Sequence, residues 1–326
     1  MTDLERILYK GISYIKKIWK LSSDLSRTTS CSTIYYFIDC IYCYINYGCY
    51  IEWYFDYFYR LSKPIRRNTL THNKFKEIYK KHNQANSLII FNNKVLFNRT
   101  FKEYQYHDSL YLRECTKVEF LSFINKHNTF LLKPIDEMQG KGIKKYTISD
   151  EENIDVLFEL WKIENFLIEE IVKPHPKIIF NNKALNTVRI YTILNSNLEV
   201  NIAGTFIRCG IGESIVDNFS AGGVLYNIDI ETGIILSKGF NFKGQYLYHP
   251  GSSIKMVGYQ IPYWNQVIDY VKQLAMVVPQ CKIVGWDIAI TEKGIDIIEG
   301  NCDPGHRLLE IFQRDGMFNK ILDMLK

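Results

Sequence analysis

The sequence lacks a long uninterrupted apolar run, an internal repeat and a low-complexity linker. It also lacks a large excess of one charge, since 40 basic and 35 acidic residues leave a formal net charge of +5. A nucleic-acid binder with one strongly basic face is therefore not indicated, whereas anionic small molecules or a membrane surface stay open as partners. The 47% hydrophobic and 23% charged fractions are those of a globular chain, and 326 residues allow two or three lobes.

The eight cysteines form no disulfide framework. Cys40 and Cys43 make a lone C-x-x-C, but no second pair and no histidine cluster stands at zinc spacing. We interpret them as buried free thiols, with a metal site as the alternative. No signal peptide with a small-residue cleavage site is apparent, so the reducing cytoplasm is the expected compartment.

Residues 31–59 are the one stretch that suggests a transmembrane segment. Asp39, Asn46, Glu52 and Asp56 interrupt it, and tyrosine dominates it instead of leucine or isoleucine. This composition favours an aromatic helical pair packed on the main body over a bilayer span.

Residues 4–20 combine apolar side chains at helical spacing with several lysines, which predicts an amphipathic basic helix. Such a helix either docks on the core with a solvated charged face or contacts anionic lipid at the inner face of the membrane. The second alternative would make the protein peripheral to the membrane.

Three regions follow one another along the chain. The pattern of residues 1–85 predicts helices with a break near Pro64. We expect an N-terminal lobe with a lid at residues 86–172 and a C-terminal lobe at residues 173–326. The run SLIIF, residues 87–91, is strand-like. Further strands are predicted at 129–132, 166–171, 187–194, 200–207, 283–290 and 295–299, and helices at 118–127, 150–161 and 262–278. This mixture predicts an α+β fold.

The last two strands form a predicted hairpin around a turn at 292–294. Because the turn lies midway, Asp287 is expected opposite Glu299, and Asn301 lies two residues further on the same face. Two carboxylates and an amide oxygen are hard ligands that suit Mg²⁺ or Mn²⁺. The alternative is that these side chains only cap an exposed hairpin.

The segment FLLKPIDEMQGKGIKKY carries Lys133 on a strand that leads into a loop with Gly140, Lys141 and Gly142. Glycines let backbone N–H groups approach phosphate oxygens, and the strand lysine supplies a fixed positive charge. The P-loop pattern is missing, and an ordinary turn is the alternative.

The segment FLIEEIV is a predicted strand that carries Glu169 and Glu170 side by side and continues into Ile171 and Val172. The following K-P-H-P forces an extended connection, which suits an interdomain hinge. Backbone groups there can bind an adenine edge, and a carboxylate can bind its amino group or the ribose.

Two arginines are associated with predicted strands. Arg189 lies within NTVRIYTI, and Arg208 lies at the strand end FIRCG. Each guanidinium group either grips a phosphate or carboxylate bidentately or pairs with a surface carboxylate.

The order of these elements resembles the ATP-grasp superfamily. The elements that carry the resemblance are Lys94, Lys133, the glycine loop, Glu169, Arg189, Asp287, Glu299 and Asn301. More narrowly, residues from about 47 to 326 resemble the sugar-transfer-associated ATP-grasp proteins, which are related to α-L-glutamate ligases. The matching segments are NNKVLF, FLLKP, LNTVRIYT, IVDNFSAGG, YHPGS and VGWDIAITEKGIDIIEGNCDPG.

The resemblance implies an ATP-grasp fold, in which two α/β subdomains grip ATP, with a helical N-terminal region. Two features depart from the family pattern. The loop QGKGIKKY is less glycine-rich than in many relatives, and Gly285 stands where some ligases place an arginine. Arg189 or Arg208 would then have to neutralise the transferring phosphate.

The resemblance also implies ADP-forming ligase chemistry, in which a carboxylate attacks the γ-phosphate of ATP and an amine then displaces phosphate to form an amide. Carried onto this chain, the metal ligands are Asp287, Glu299 and Asn301. The nucleotide-binding groups are Lys94, Lys133, Gly140, Gly142 and the segment from Glu169 through Glu170 and Ile171 to Val172. The transfer groups are Arg189, Arg208 and Lys141, and the acceptor side is Asp217, Asn218 and His249. His249 either accepts the proton of the amine or is structural.

The relatives' association with surface polysaccharides suggests a uronic acid or another sugar carboxylate as the acid and an amino acid as the amine. Two other functions stay open. One is a phosphotransferase that phosphorylates a hydroxyl group of a sugar or small molecule. The other is a nucleotide-binding or membrane-associated scaffold that has lost catalysis.

Overall fold

A computed structural model of the protein describes residues 3–135, 142–149, 151–180, 184–212, 222–241, 243–313 and 315–326, with side chains from Gly11 onward. These residues form two compact units. The first comprises residues 1–81 and 305–323, and the second comprises residues 82–304 and 324–326. Each unit has its own cluster of buried apolar side chains.

The first unit is helical. Its helices are α1 Asp3–Ser26, α2 Thr33–Tyr47, α3 Ile51–Asp56, α4 Lys63–Asn68, α5 His72–His82, α11 Arg307–Ile311 and α12 Phe318–Met324. The helices predicted for residues 1–85 are thereby confirmed. The predicted break at Pro64 is the first turn of α4, where the fixed φ of proline suits a helix start.

The aromatic stretch at residues 31–59 supplies the core of this unit. Trp53, Tyr54 and Phe58 are buried there. Asp39 points into the same core, where it accepts hydrogen bonds from Arg66 Nη1 at 2.7 Å and from the Tyr54 hydroxyl at 2.7 Å. Among the described residues, no helix has both the length and the apolarity needed to cross a bilayer. All eight cysteines are free, and Cys40 and Cys43 are buried as predicted.

The described part of the second unit contains a four-stranded antiparallel sheet in the order β1-β4-β2-β3. Its strands are β1 Ser109–Tyr111, β2 Thr129–Pro134, β3 Lys144–Thr147 and β4 Phe166–Glu170. Helices α8 Lys117–Lys126 and α9 Ile154–Ile163 contribute Phe120, Phe158 and Trp161 to the buried cluster that contains Phe130 and Ile168 of the sheet. This small layer carries Lys133 and Glu169.

A larger antiparallel sheet completes this unit, with the order β11-β10-β5-β6-β7-β8-β9 among the described residues. Its strands are β5 Thr187–Leu194, β6 Val200–Cys209, β7 Val224–Asn227, β8 Gly239–Asn241, β9 Gly244–Tyr246, β10 Ile283–Ile290 and β11 Ile295–Asn301. The helices of this unit that remain to be named are α6 Ala85–Asn92, α7 Lys94–Thr100 and α10 Trp264–Val277. Strands β5 and β10 are buried along their whole length, so both faces of the larger sheet are covered at these two strands.

One predicted strand is wrong. The run SLIIF lies inside helix α6, Ala85–Asn92, and not in a strand. A short apolar run does not distinguish the two structures by periodicity, and here the tertiary contact decides. Phe91 is the buried residue of α6, and its ring packs 5.9 Å from the ring of Trp286 on β10. The predicted strands at 187–194 and 283–290 are confirmed with the same bounds.

Candidate functional site

Asp287 lies in the middle of β10, between two partner strands. It pairs with Glu299 of β11 and with Arg189 of β5. Directly opposed residues of antiparallel strands point to the same face, so the predicted opposition of Asp287 and Glu299 is confirmed. Asn301, two residues beyond Glu299, is half-buried on that face. The four side chains therefore line one face of the larger sheet.

Asp287 holds two arginines at once. Its Oδ1 accepts a hydrogen bond from Arg189 Nε at 2.5 Å, and its Oδ2 accepts one from Arg189 Nη2 at 2.7 Å. Arg208 Nη1 lies 2.7 Å from the same Oδ2. All three side chains are buried. The two guanidinium groups that the sequence left between phosphate binding and ion pairing thus meet at one carboxylate.

The two neighbouring carboxyl groups have pKa values shifted in opposite directions. Burial alone would raise the pKa of Asp287, but the charges of Arg189 and Arg208 outweigh it and lower that pKa. Glu299 has an exposed side chain, yet protein atoms crowd its carboxyl group. This desolvation and the charge of Asp287 raise the pKa of Glu299. Such a carboxylate pair, with the Asn301 amide beside it, is a donor set that fits a hard divalent cation.

Pro304 fixes the far side of this group. Its carbonyl oxygen accepts hydrogen bonds from Arg189 Nη1 at 3.3 Å and from the Tyr191 hydroxyl at 2.6 Å. A Cβ atom on Gly285 would lie 2.4 Å from Pro304 Cβ, so a larger residue does not fit there without a shift. This close approach leaves no room for a side chain such as arginine at position 285 of this chain.

A second charged group lies in the four-stranded sheet. Lys133 Nζ on β2 donates a hydrogen bond to Glu169 Oε2 on β4, and both side chains are buried. Asn98 Nδ2 lies 3.5 Å from Glu169 Oε1. Burial would raise the pKa of Glu169, but the charges of Lys133 and His107 lower it. The predicted phosphate-binding lysine and the first hinge glutamate are therefore direct partners.

His107 and Asp296 extend this group, and the sequence analysis missed both. His107 Nδ1 lies 2.7 Å from Asp296 Oδ2 on β11, and its Nε2 lies 3.7 Å from Glu169 Oε2. Burial lowers the pKa of His107, but the hydrogen bond to Asp296 and the charges of Glu169 and Asp296 together outweigh burial, so the pKa is raised. The one available signal was an aspartate between isoleucines in the strand IDIIEGN, where an apolar residue is the usual choice.

Lys94 lies at the start of α7, close to the end of β2. Its Nζ donates hydrogen bonds to the carbonyl oxygens of Pro134 at 3.0 Å and Ile135 at 3.2 Å. These are the last described residues before the glycine loop. Gly142, on the other side of the loop, has a φ of 71°, in the left-handed region that favours glycine. Lys94 and Lys133 therefore both lie at the strand end that enters the loop.

The predicted hinge leads from the small sheet to the large one. After β4 the chain passes through half-buried Ile171 and Val172, and His175 N then donates to the carbonyl oxygen of Ile290 at 2.8 Å. A cleft with about 450 Å³ of empty space, partly open to solvent, lies beside this connection. Its lining includes Tyr106, His107, Val172 and Lys173.

Glu170 faces a different set of partners from Glu169. Its Oε2 accepts a hydrogen bond from Asp108 N at 3.1 Å, and its Oε1 lies 3.5 Å from Lys293 Nζ. Among the described residues, ligand atoms of Asp108, His127 and Glu170 lie within 4.8 Å of one another. Asp108 Oδ2 already contacts His127 Nε2 at 2.7 Å and also Lys126, so these contacts account for the cluster without an ion.

The remaining predicted residues divide into two sets. His249 is buried, and its Nε2 lies 3.2 Å from the carbonyl oxygen of Gly210, two residues after Arg208. Burial lowers the pKa of His249. The predicted residues outside the described ranges are Gly140, Lys141, Asp217 and Asn218.

The solved structures that this chain resembles share little sequence identity with it. An ATP-grasp ligase solved with a precursor peptide and AMPPNP has a TM-score of 0.46 and 13% identity, over 74% of this chain and 62% of that chain. An N5-carboxyaminoimidazole ribonucleotide synthetase solved with ADP has a TM-score of 0.46 and 13% identity, over 73% and 52%. D-alanyl-alanine synthetase A from Vibrio cholerae O1 has a TM-score of 0.42 and 14% identity, over 73% and 60%. This chain thus spans less than two thirds of the length of each.

The sequence comparison identifies the family directly. No curated protein matches the sequence. Residues 73–325, however, match the family described as sugar-transfer associated ATP-grasp. The expected ATP-grasp fold with additional N-terminal helices is confirmed. Because the match covers most of the sequence, the chain belongs to the sugar-transfer associated ATP-grasp family.

Proposed function

We propose that the chain is an ATP-dependent carboxylate–amine ligase that forms an amide through an acyl phosphate. The observation that carries this proposal is the group on one sheet face, in which Asp287 opposes Glu299 and binds two arginines. Phosphoryl transfer between anions depends mainly on positioned positive charge. The guanidinium groups of Arg189 and Arg208 supply such charge beside a carboxylate pair.

Asp287, Glu299 and Asn301 would hold Mg²⁺ or Mn²⁺, which when bound neutralises charge on phosphate oxygens. The raised pKa of Glu299, caused by desolvation and by the charge of Asp287, supports this assignment. A cation between the two carboxylates would relieve their repulsion. Asp287 binds both Arg189 and Arg208 and thereby holds the two guanidinium groups at the same face.

The nucleotide is proposed to lie between the two sheets of the second unit. Lys133 and Lys94, at the strand end before the glycine loop, would bind its phosphates together with that loop. The hinge backbone would bind adenine, since an extended connection presents N–H and C=O groups to a base edge. The loop residues assigned to the phosphates are Gly140 and Gly142, and Lys141 of the same loop is assigned to the transfer step. The hinge residues assigned to the adenine side are Glu169, Glu170, Ile171 and Val172.

The chemistry has two steps. A carboxylate oxygen of the acid attacks the γ-phosphorus of ATP, and ADP leaves. The amine nitrogen then attacks the acyl carbon and loses a proton, and phosphate leaves as the amide forms. His249 is a candidate to accept that proton, because burial lowers its pKa and a neutral imidazole has a free acceptor. Asp217 and Asn218 are assigned to the acceptor side.

The acid is proposed to be a uronic acid or a related sugar carboxylate, and the amine an amino acid. The family description, which associates these proteins with sugar transfer, supports this choice. The proposed setting is the synthesis of capsular or other surface polysaccharide on the cytoplasmic side, where ATP is supplied.

A screen of ADP release tests the proposal. Wild-type protein with ATP and Mg²⁺ is incubated with uronic acids and nucleotide sugars crossed with amino acids, and products are read by mass spectrometry. We expect ADP and an amide in the same reactions, and neither product with Asp287→Asn or Glu299→Gln. Glu231→Gln, on an exposed turn, is the matched control. A stable phosphorylated sugar formed without amine would replace the ligase with a phosphotransferase.

A further inference from the structure

The outward face of helix α2 is unusually apolar. Its exposed positions are Ile34, Tyr35, Ile38, Tyr42, Tyr44, Ile45 and Asn46. All but the last are isoleucine or tyrosine, and none is charged. An exposed helix face normally carries charged residues, and a contiguous apolar face marks an interaction surface.

The inner face of α2 already has its partners. Cys40 and Cys43 are buried in the core of the first unit. Asp39, the one charged residue of α2, is directed to Arg66 at 2.7 Å. The apolar outer side chains therefore do not belong to this core. Ile38 is 61% exposed and Ile45 is 71% exposed.

Helix α1 continues the same surface. Ile12, Ile15 and Trp19 follow one another at spacings of three and four residues, and each is at least 50% exposed. The ring of Trp19 packs edge-on against Phe37 of α2, with centroids 5.5 Å apart. The apolar stripes of the two helices therefore meet. We call this surface the α1–α2 face and define it by Ile12, Ile15, Trp19, Ile34, Ile38 and Ile45.

Lysines flank the apolar stripe on α1. Lys16 and Lys20 are exposed, and each follows directly after a residue of the face. Lys17 pairs with Glu52, whereas Lys16 and Lys20 have no carboxylate partner among the side chains that the structure describes. From Gly11 onward, where side chains are described, the α1–α2 face thus presents apolar and aromatic groups that are flanked by two positive charges, and the face itself contains no carboxylate.

We propose that the α1–α2 face docks on an anionic lipid surface without crossing the bilayer. Isoleucines enter the boundary of the acyl chains, and tyrosine and tryptophan favour the headgroup level, where one end of the ring is apolar and the other is hydrated. Lys16 and Lys20 bind anionic headgroups. A two-fold dimer through this face would gather the lysines of both copies with no acidic residue on the face to meet them.

Trp19 makes this proposal directly measurable. It is 50% exposed, whereas the other four tryptophans are buried. The full-length protein is mixed with vesicles of phosphatidylcholine alone or of equal parts phosphatidylcholine and phosphatidylglycerol. We expect binding to the anionic vesicles only, with a blue shift of tryptophan emission and quenching by brominated lipid. Trp19→Phe should remove the quenchable signal and leave sedimentation nearly unchanged.

Variants separate the charged from the apolar contribution. Lys16→Gln/Lys20→Gln should weaken vesicle binding about 30-fold, given about 1 kcal/mol for each lysine. Ile38→Asp/Ile45→Asp should weaken it about 100-fold or more, because two exposed isoleucines that would enter the lipid on binding are lost. The matched controls are Lys76→Gln/Lys80→Gln on α5 and Ile163→Asp on α9, which lie outside the face. Circular dichroism and melting curves check that every variant is folded.

Three results would overturn the proposal. The first is sedimentation with anionic vesicles that does not exceed sedimentation without vesicles. The second is an equal loss of binding in the control variants. The third is a dimer that dissociates with Ile45→Asp while wild-type protein ignores vesicles, which would make the face a self-association surface.

Discussion

Replacing each of the two opposed carboxylates by its amide should separate a structural role from a metal-binding role. Asp287→Asn leaves Arg189 and Arg208 buried without the carboxylate that both bind. Removing one partner of a buried ion pair costs about 3–5 kcal/mol, because the remaining charge is uncompensated. We expect Asp287→Asn to lower the free energy of unfolding at pH 7 by about this amount.

Glu299→Gln should have the opposite effect on stability. Desolvation and the charge of Asp287 raise the pKa of Glu299 in the folded protein. A carboxyl group whose folded pKa lies above its unfolded value loses stability as the pH rises through that interval. Its neutral isostere should therefore leave the free energy of unfolding at pH 7 unchanged or raise it. Both variants should nevertheless lose Mg²⁺-dependent ATP binding, because each removes an assigned ligand.

Two measurements on the same samples test this pair of expectations. Urea unfolding followed by circular dichroism gives the stability, and calorimetric titration with ATP, with and without Mg²⁺, gives the binding. The exposed Glu231→Gln control should match wild type in both. Equal destabilisation by Asp287→Asn and Glu299→Gln would refute the assigned division of roles. Undiminished Mg²⁺-dependent binding by Glu299→Gln would refute its assignment as a ligand.

Three further predictions concern stability. Burial acts to raise the pKa of Asp287, but the two arginines lower it from its ordinary value, so ionised Asp287 stabilises the fold at neutral pH. The free energy of unfolding should fall as the pH drops through the lowered pKa, and Asp287→Asn should remove this dependence. Lys133→Met leaves Glu169 buried without its lysine, and urea unfolding should show a loss of about 3–5 kcal/mol, partly recovered by adding Glu169→Gln. Gly285→Ala, with its Cβ 2.4 Å from Pro304, should lower the free energy of unfolding by about 1–3 kcal/mol.

Matched variants set the contradicting outcomes for these predictions. Lys117→Met breaks an exposed pair with Asp155 and should change stability by less than about 1 kcal/mol; an equal loss in Lys133→Met would contradict the burial argument. Gly11→Ala, which meets no atom within 4 Å inside helix α1, should raise stability by about 1 kcal/mol. If Gly285→Ala raised the free energy of unfolding by the same amount, Pro304 would have to move aside at little cost. Unchanged acid unfolding in Asp287→Asn would remove the proposed linkage.

The final hairpin was the part of the site that local periodicity predicted best. Alternation of side chains and a turn midway between the strands predicted Asp287 opposite Glu299, and the structure contains this pair. The turn alone does not fix it, because a register shift between Asp287 and Ile288 lies between the turn and the pair. Local sequence patterns also predicted β5 and β10, and both strands are buried along their whole length. Residue roles at these positions stay proposals.

Long-range contacts were beyond the sequence. Asp287 on β10 and Arg208 on β6 are in contact although β5 separates their strands. No local sequence pattern predicts this order of strands. The contact between His107 and Asp296 joins residues 189 positions apart. Helix α6 was mistaken for a strand because a five-residue apolar run does not show which of its residues is buried, and in the structure that residue is Phe91. The apolar outer face of α2 likewise depends on knowing which side is buried.

The proposed ligase forms an acyl phosphate at the face that carries Asp287 and Glu299. Hydroxylamine trapping tests it most directly, with ATP, Mg²⁺ and the acid identified by the ADP-release screen, in the absence of the amine. We expect a hydroxamate with wild-type protein and none with Asp287→Asn or Glu299→Gln. A stable phosphorylated product without hydroxamate, or a hydroxamate undiminished in both variants, would contradict it.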